Sequence, residues 1–159
     1  MKQFQKILVP VDFAPRSTEA VRRAVDIAQH YSASITLVHV YEPVDYALPE
    51  GYVLYTSEQI GVMTTEFEAR LDRLRRDVEA LGFTRIETHL LTGSAPAEIV
   101  AYAEEAGFDL IIMGTHGRKG VAHMLMGSVA ERVLRSAHCP VLTIKSEKQQ
   151  PGNAAQRAA

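Results

Sequence analysis

Phe108-Asp-Leu-Ile-Ile-Met113 is a strand-length apolar run that opens directly onto Gly114-Thr-His-Gly117, the start of a glycine-rich stretch extending to Gly127. So short a run with so little polar alternation predicts a strand buried on both faces, as in a parallel sheet covered by helices. Downstream, Val129, Ala130, Val133, Leu134 and Ala137 recur at helical spacing, and Pro140 to Ile144 (PVLTI) reads as a final strand. Upstream, Ser94 and Pro96 open a helix with Ala95, Ile99, Tyr102, Ala103 and Ala106 on one face, and Gly107 stops it. Helix, strand, glycine loop, helix and strand in succession is the grammar of an α/β fold.

The alternation continues toward the N-terminus. Ile7 to Val11 (ILVPV), Ser34 to Val40 (SITLVHV) and Arg85 to Leu91 predict three further strands. Pro15 marks the first turn of a helix, and Val21, Ala24, Val25 and Ala28 give that helix one apolar face. Ile60, Met63, Phe67, Leu71, Leu74, Val78 and Leu81 form the clearest helical stripe, with Glu66–Arg70 and Asp72–Arg76 pairs expected on the solvent side and Gly82 as its terminator. Tyr41 to Ser57 carries two prolines, a glycine and four tyrosines without a period, and reads as a long loop. The predicted fold is therefore α/β: a single five-stranded parallel sheet with helices on both faces, in the order β-α-β-α-β-α-β-α-β. Residues 1–145 form one domain, and 146–159, polar and alanine-rich with Pro151 and Gly152, is expected to be a disordered tail. In such sheets a ligand sits outside the carboxyl ends of the strands, where strand order reverses. That directs attention to Asp12 and to the loop beginning at Gly114.

Composition narrows the partners. A chain of 159 residues buries enough surface to need no staple. Its net charge of −2 and lack of a Lys/Arg run give no reason to expect nucleic acid or an anionic membrane. No apolar run approaches the length of a membrane helix, the first six residues lack a signal-peptide core, and the single Cys139 fits a reducing compartment. A cytoplasmic location is expected.

The glycine loop runs Gly114-Thr-His-Gly117-Arg-Lys-Gly-Val-Ala-His-Met-Leu-Met-Gly127-Ser128. Neither a Walker A loop nor a G-x-G-x-x-G fingerprint can be laid on it. Glycines at positive φ would still let successive amides form an anion nest, and the following helix would offer its free N–H groups to a phosphate. Plain turn chemistry explains the glycines equally well. Ser128-Val-Ala-Glu131 also reads as a capping box, which accounts for Ser128 without a ligand.

The spacing Gly114-x2-Gly117-x9-Gly127-Ser128 resembles the nucleotide-binding signature of the ATP-binding branch of the universal stress protein family. Ile7-Leu-Val-Pro-Val-Asp12, Leu37-Val-His-Val40, Asp109-Leu-Ile-Ile-Met-Gly114 and Gly127-Ser-Val-Ala-Glu-Arg-Val-Leu134 with Cys139-Pro-Val-Leu-Thr-Ile144 resemble the family's strands and closing helix, so the likeness spans about residues 4 to 145. It implies a Rossmann-like sheet of the adenine-nucleotide alpha-hydrolase type. Pro10, Val11, Asp12, Val40 and Met113 would then lie against adenine and ribose. Gly114, Gly117, Gly127, Ser128 and Val129 would surround ribose and phosphates, with His116 and Arg118 beside them and Arg118 the leading charged phosphate contact. Asp12 is alternatively a loop carboxylate capping the next helix, Val40 and Met113 core residues, and Arg118 solvated charge. The resemblance also implies ATP, or AMP or another adenine nucleotide, with Mg²⁺ on the phosphates, and a homodimer formed through Pro140 to Lys145; the alternative there is a short edge protected by Lys145. The expected function is a nucleotide-dependent regulator with little or no turnover. A slow ATPase or nucleotidyl transferase, with His116 as the nearby acid–base group, and a nucleotide-free interaction module are the alternatives.

Other chemistry finds little support. No H-E-x-x-H or cysteine-pair spacing assigns a metal to the six histidines. His39 reads as a packed sheet residue and Cys139 as a small apolar one. No G-x-S-x-G elbow supports a hydrolase, and no residue is assigned a catalytic role.

Overall fold

The computed structural model describes residues 4–42, 46–48, 51–53, 56–115 and 126–145. In chain order the elements are β1 (Lys6–Pro10), α1 (Pro15–Tyr31), β2 (Ser34–Tyr41), β3 (Tyr46–Leu48), β4 (Gly51–Val53), α2 (Ser57–Ala80), β5 (Ile86–Thr92), α3 (Ala95–Glu105), β6 (Leu110–Gly114), α4 (Ser128–Ser136) and β7 (Val141–Ile144). Five strands make one parallel sheet in the order β5-β2-β1-β6-β7. The predicted architecture is the observed one.

The reason lies in the two central strands. Ile7, Leu8 and Val9 of β1 are wholly buried, as are Ile111 and Ile112 of β6. Each such side chain contributes about 1.5–3 kcal/mol relative to exposure, and only a strand covered on both sides can bury consecutive residues. Ile7, Val9, Ile35, Leu37 and Ile112 pack with α1 and α2, while Leu8, Val38, Ile111 and Met113 pack with α3 and α4. This division follows from topology. The chain first builds outward from β1 to β2 and β5, then returns to β6 and builds the other way, and right-handed crossovers in opposite directions deposit their helices on opposite faces.

Local signals behave largely as read. Pro15 occupies the first turn of α1. Gly82, at φ +91°, and Gly107, at φ +67°, follow α2 and α3 in the left-handed conformation that ends a helix. The start of α2 adds a capping box: Gln59 N–H donates to Thr56 Oγ1 at 3.2 Å, and Thr56 N–H donates to Gln59 Oε1 at 2.9 Å. Asp72 pairs with Arg76 as expected and also with Arg75, which reaches Glu79 at 2.7 Å. Arg70 instead lays its guanidinium over the Phe13 ring, 4.1 Å from the centroid.

One correction concerns Tyr41 to Ser57. Tyr41 still belongs to β2, Ser57 already begins α2, and between them β3 and β4 pair antiparallel, Tyr46 with Val53 and Leu48 with Gly51. Three-residue strands are too short to display a period of two, so composition alone reads as loop. His116, Gly117, Arg118 and the segment 146–159 lie outside the described residues.

Candidate functional site

Strand order reverses between β1 and β6, because β1 pairs with β2 on one side and with β6 on the other. The crevice at such a switch point opens beyond the carboxyl ends of both strands. On this chain those ends lead into Val11-Asp12-Phe13 and into Gly114-Thr115.

Val11 is held to β2 by both its peptide groups. Its N–H donates to Val38 O at 2.8 Å. Its carbonyl lies 2.7 Å from His39 Nδ1, which therefore carries the donated proton. Asp12 follows, half-buried. Its Oδ1 accepts the Ala14 N–H at 3.0 Å, closing an Asx turn. Its Oδ2 is buried with no hydrogen-bond partner among the described residues. Asp12 is thus not the helix cap considered in the sequence reading: Ala14 is the N-cap of α1, and no side chain caps it. Between them Phe13 takes φ +61°, a left-handed conformation that a bulky residue adopts only where its surroundings enforce it. Phe13 also lines a shallow open notch with Pro15, Thr18, Glu19 and Arg22.

On the other strand, Gly114 ends β6 opposite Ile144 of β7. Thr115 is buried and bonded in both directions along the main chain. Its N–H donates to Ile144 O at 3.0 Å, and its carbonyl accepts the Gly127 N–H at 2.6 Å. The second bond ties the end of β6 to the start of α4. Gly127 is the α4 N-cap with φ −76° and ψ 154°, so the positive φ expected of the loop glycines is not used there. The helical ladder begins with Glu131 N–H donating to Gly127 O at 3.0 Å. The first-turn amides of Ser128, Val129 and Ala130 therefore stand outside it, an arrangement suited to an anion.

Ser128 corrects a second expectation. It is the first residue of α4 rather than its cap, and no side-chain cap bond is made. Displaced by one residue, a serine hydroxyl no longer reaches the third helical amide, so the sequence pattern for a capping box is present without the box. Val11 and Met113, at 4% and 5% exposure, belong to the cores on opposite faces of the sheet, and Val40 and Val129 pack at the edge of the second of these. These four can offer a ligand mainly their main chain. Pro10 is half-buried at the end of β1. The structure thus brings Pro10, Val11, Asp12, Met113, Gly114, Gly127, Ser128 and Val129 to the carboxyl side of β1 and β6 or to the start of α4. Val40 lies further along β2, near its end.

Sequence reasoning missed Phe13, Phe67, Arg70 and Thr115. Nothing local marks them: the first three meet only when α2 packs on the sheet, and Thr115 acts through its peptide groups. Among the described residues no group of three or more His, Cys, Asp or Glu side chains is placed to hold a metal. No helix among them is long and apolar enough to cross a membrane.

A doubly wound parallel sheet whose switch-point crevice is flanked by a strand-end aspartate and a helix amino end defines a Rossmann-like α/β protein. The Universal stress protein family matches residues 3–145. Universal stress protein MJ0531 of Methanocaldococcus jannaschii is 37% identical over 149 residues, covering 92% of this chain and 85% of its own length. The chain belongs to the universal stress protein family. Among solved structures, the protein MJ0577 of the same organism, the subject of a structure-based assignment of biochemical function, superposes with a TM-score of 0.79 at 28% identity, covering 92% of this chain and 99% of its own. A universal stress protein in complex with cAMP gives 0.70 at 25% identity, with coverage of 92% and 100%. A universal stress protein from Archaeoglobus fulgidus in complex with dAMP gives 0.64 at 25% identity, with coverage of 91% and 100%.

Proposed function

We propose that this protein binds ATP at the β1/β6 switch point and acts in the cytoplasm as a nucleotide-dependent regulator with little or no turnover. The observation that carries the reading is Asp12 Oδ2, a buried acceptor without a partner among the described residues. Leaving such a group unsatisfied costs about 1–3 kcal/mol, and a ribose hydroxyl or an adenine amino group would supply the missing donor. The first-turn amides of α4 and the Thr115–Gly127 bond support placing phosphates at the other side of the crevice. Adenine nucleotides bound to similar proteins, cAMP in one and dAMP in another, support the same ligand class. Mg²⁺ fits this donor set as a phosphate-bridging ion, since it needs at most one or two carboxylates and keeps several waters; it would neutralise phosphate charge. The proposal extends the phosphate contacts to His116, Gly117 and Arg118, which lie outside the described residues.

A homodimer through β7 belongs to the same proposal. Among the described residues β7 pairs with β6 alone. Pro140 O accepts from Ile111 N–H and Ile144 O from Thr115 N–H, each at 3.0 Å. Residues 140, 142 and 144 thus turn their peptide groups toward β6, and by the alternation of a parallel ladder Val141 and Thr143 turn theirs to the open edge. Leu142, 38% exposed, adds apolar surface there, and a two-fold partner strand would satisfy both.

Calorimetry of the purified protein with ATP, ADP and AMP, with and without Mg²⁺, tests the ligand, beside a Gly114→Val variant that adds a branched side chain at the end of β6. Equal titrations for the two proteins, or none for either, would end the proposal. Steady-state phosphate release from ATP would replace the regulator with an ATPase.

A further inference from the structure

We infer that Phe13, gripped by His39, Phe67 and Arg70, is a positioning residue that aims the Asp12 carboxylate at the nucleoside part of a bound nucleotide. The inference rests on the adenine-nucleotide reading of this crevice and adds to it the device that orients its carboxylate.

Three groups from two elements, β2 and α2, converge on one ring. The Phe13 centroid lies 4.6 Å from that of His39 and 6.4 Å from that of Phe67, with the two phenyl planes only 3° apart. His39 and Phe67 are themselves 4.6 Å apart. The Arg70 guanidinium sits 4.1 Å from the Phe13 centroid, within cation–π range. His39 is fixed in turn by its Nδ1 contact with Val11 O at 2.7 Å. The cluster therefore grips the residues on both sides of Asp12: Val11 through the imidazole and Phe13 through its ring.

The backbone shows the consequence. Phe13 is left-handed at φ +61°, where an L-residue with a β-carbon is disfavoured and glycine or asparagine is the usual occupant. That turn folds Ala14 back so that its N–H meets Asp12 Oδ1 at 3.0 Å. One carboxylate oxygen is thereby consumed in holding the turn, and the other, Oδ2, is left buried without a partner among the described residues. A side chain tethered at one oxygen by its own turn has a defined direction for the second. A glycine would make the turn without strain but would leave it free to move, and the ring stack is what makes the costlier residue the more rigid one. Phe67 and Arg70 belong to α2, so the helix and the carboxylate are mechanically joined.

The test uses ATP with Mg²⁺, titrated calorimetrically into the full chain and into Phe13→Gly, Arg70→Met, Asp12→Asn and the double variant Phe13→Gly/Asp12→Asn. Phe13→Gly suits the left-handed turn, so its folding is not the weak point, and urea midpoints measured alongside separate stability from binding. Releasing one residue's backbone predicts a Kd raised about five- to thirty-fold in Phe13→Gly. Loss of the cation predicts a smaller rise in Arg70→Met, up to about five-fold. If Phe13 acts through Asp12, its effect shrinks toward nothing in the Asp12→Asn background, which a merely structural role would not produce. An unchanged Kd in Phe13→Gly, or a loss that persists in full beside Asp12→Asn, overturns the inference while leaving nucleotide binding intact. No titration by the unaltered protein with ATP, ADP or AMP would instead remove the nucleotide reading, and this inference with it.

Discussion

Replacing Asp12 with asparagine separates what the carboxylate does for the fold from what it does for a ligand. Asparagine keeps an oxygen for the Ala14 N–H, which Asp12 Oδ1 accepts at 3.0 Å, but the bond becomes neutral. Hydrogen bonds to charged groups contribute about 1.5–3 kcal/mol and neutral ones about 0.5–1.5, so about 1 kcal/mol is lost. Against this, Oδ2 is a buried oxygen without a partner among the described residues, and such a group costs about 1–3 kcal/mol. An amide nitrogen in its place is also unpartnered but carries no formal charge, so part of that cost is recovered. The two changes offset, and the ligand-free variant should unfold within about 1 kcal/mol of the parent, a urea midpoint shift below about 1 M. Binding has no such offset. A donor from ribose or adenine that met a charged oxygen now meets another donor, and losing a charged hydrogen bond of about 1.5–3 kcal/mol weakens ATP about 10- to 150-fold. With ATP at about 100 times the parent Kd, ligand stabilises the parent by about 2.7 kcal/mol. The same concentration stabilises the variant by only about 0.3–1.4 kcal/mol. Urea unfolding with and without Mg-ATP reads both quantities from one pair of curves. A ligand-free variant destabilised by more than about 3 kcal/mol, with its stabilisation by ATP unchanged, would show that Asp12 serves the turn alone.

Ile111 is wholly buried on a central strand, so Ile111→Ala should cost about 2–5 kcal/mol in urea unfolding; a loss below about 1 kcal/mol would deny that β6 lies in a close-packed core. Hydrogen bonding by Arg75 holds the Asp72 carboxyl below its ordinary value of 3.8, against a smaller opposing push from burial. A carboxylate depressed on folding stabilises above its unfolded pKa and loses that effect as pH falls through the folded one. The stability deficit of Asp72→Asn should therefore be present at neutral pH and vanish well below pH 3.8, and a pH-independent deficit would contradict the pairing. Thr143→Pro removes an outward amide from β7 while leaving the bonds of Pro140 and Ile144 to β6 in place. If the chain pairs through β7 as proposed, light scattering should find the parent dimeric and the variant monomeric at the same concentration, and equal masses for the two would refute that pairing.

The fold was legible because its deciding signals are local and redundant. Ile7–Val9 and Ile111–Ile112 are consecutive apolar residues that only a doubly covered strand can bury. Gly82 and Gly107 stop helices by a conformation few other residues accept. What stayed hidden had either too little length or too many partners. The three-residue strands β3 and β4 hold each other through main-chain pairing that composition does not encode. The capping box at Ser128 failed because the helix began one residue earlier than the pattern requires, and helix starts are set by what the preceding chain is tied to, here the Gly127–Thr115 bond. At the crevice, residue type exposed Asp12 and the glycines. It could not expose Phe13, His39, Phe67 and Arg70, whose meeting requires α2 to lie across the end of β2.

The same topology determines what a ligand in this crevice would do to the protein. The sheet has two halves, β5-β2-β1 and β6-β7. The halves join where β1 meets β6, and the register there is short, Ile7 with Leu110 and Leu8 with Ile111, against five paired positions between β1 and β2. Asp12 leaves the first half, and the Thr115–Gly127 bond belongs to the second. A nucleotide touching both spans the seam where the ladder has already ended, and it stabilises the junction rather than either half alone. Thr115 extends that junction to β7, because the residue whose carbonyl holds Gly127 also donates its N–H to Ile144. Thr115 therefore couples the start of α4 to the edge strand, and by linkage a ligand that ordered the one would bias the other.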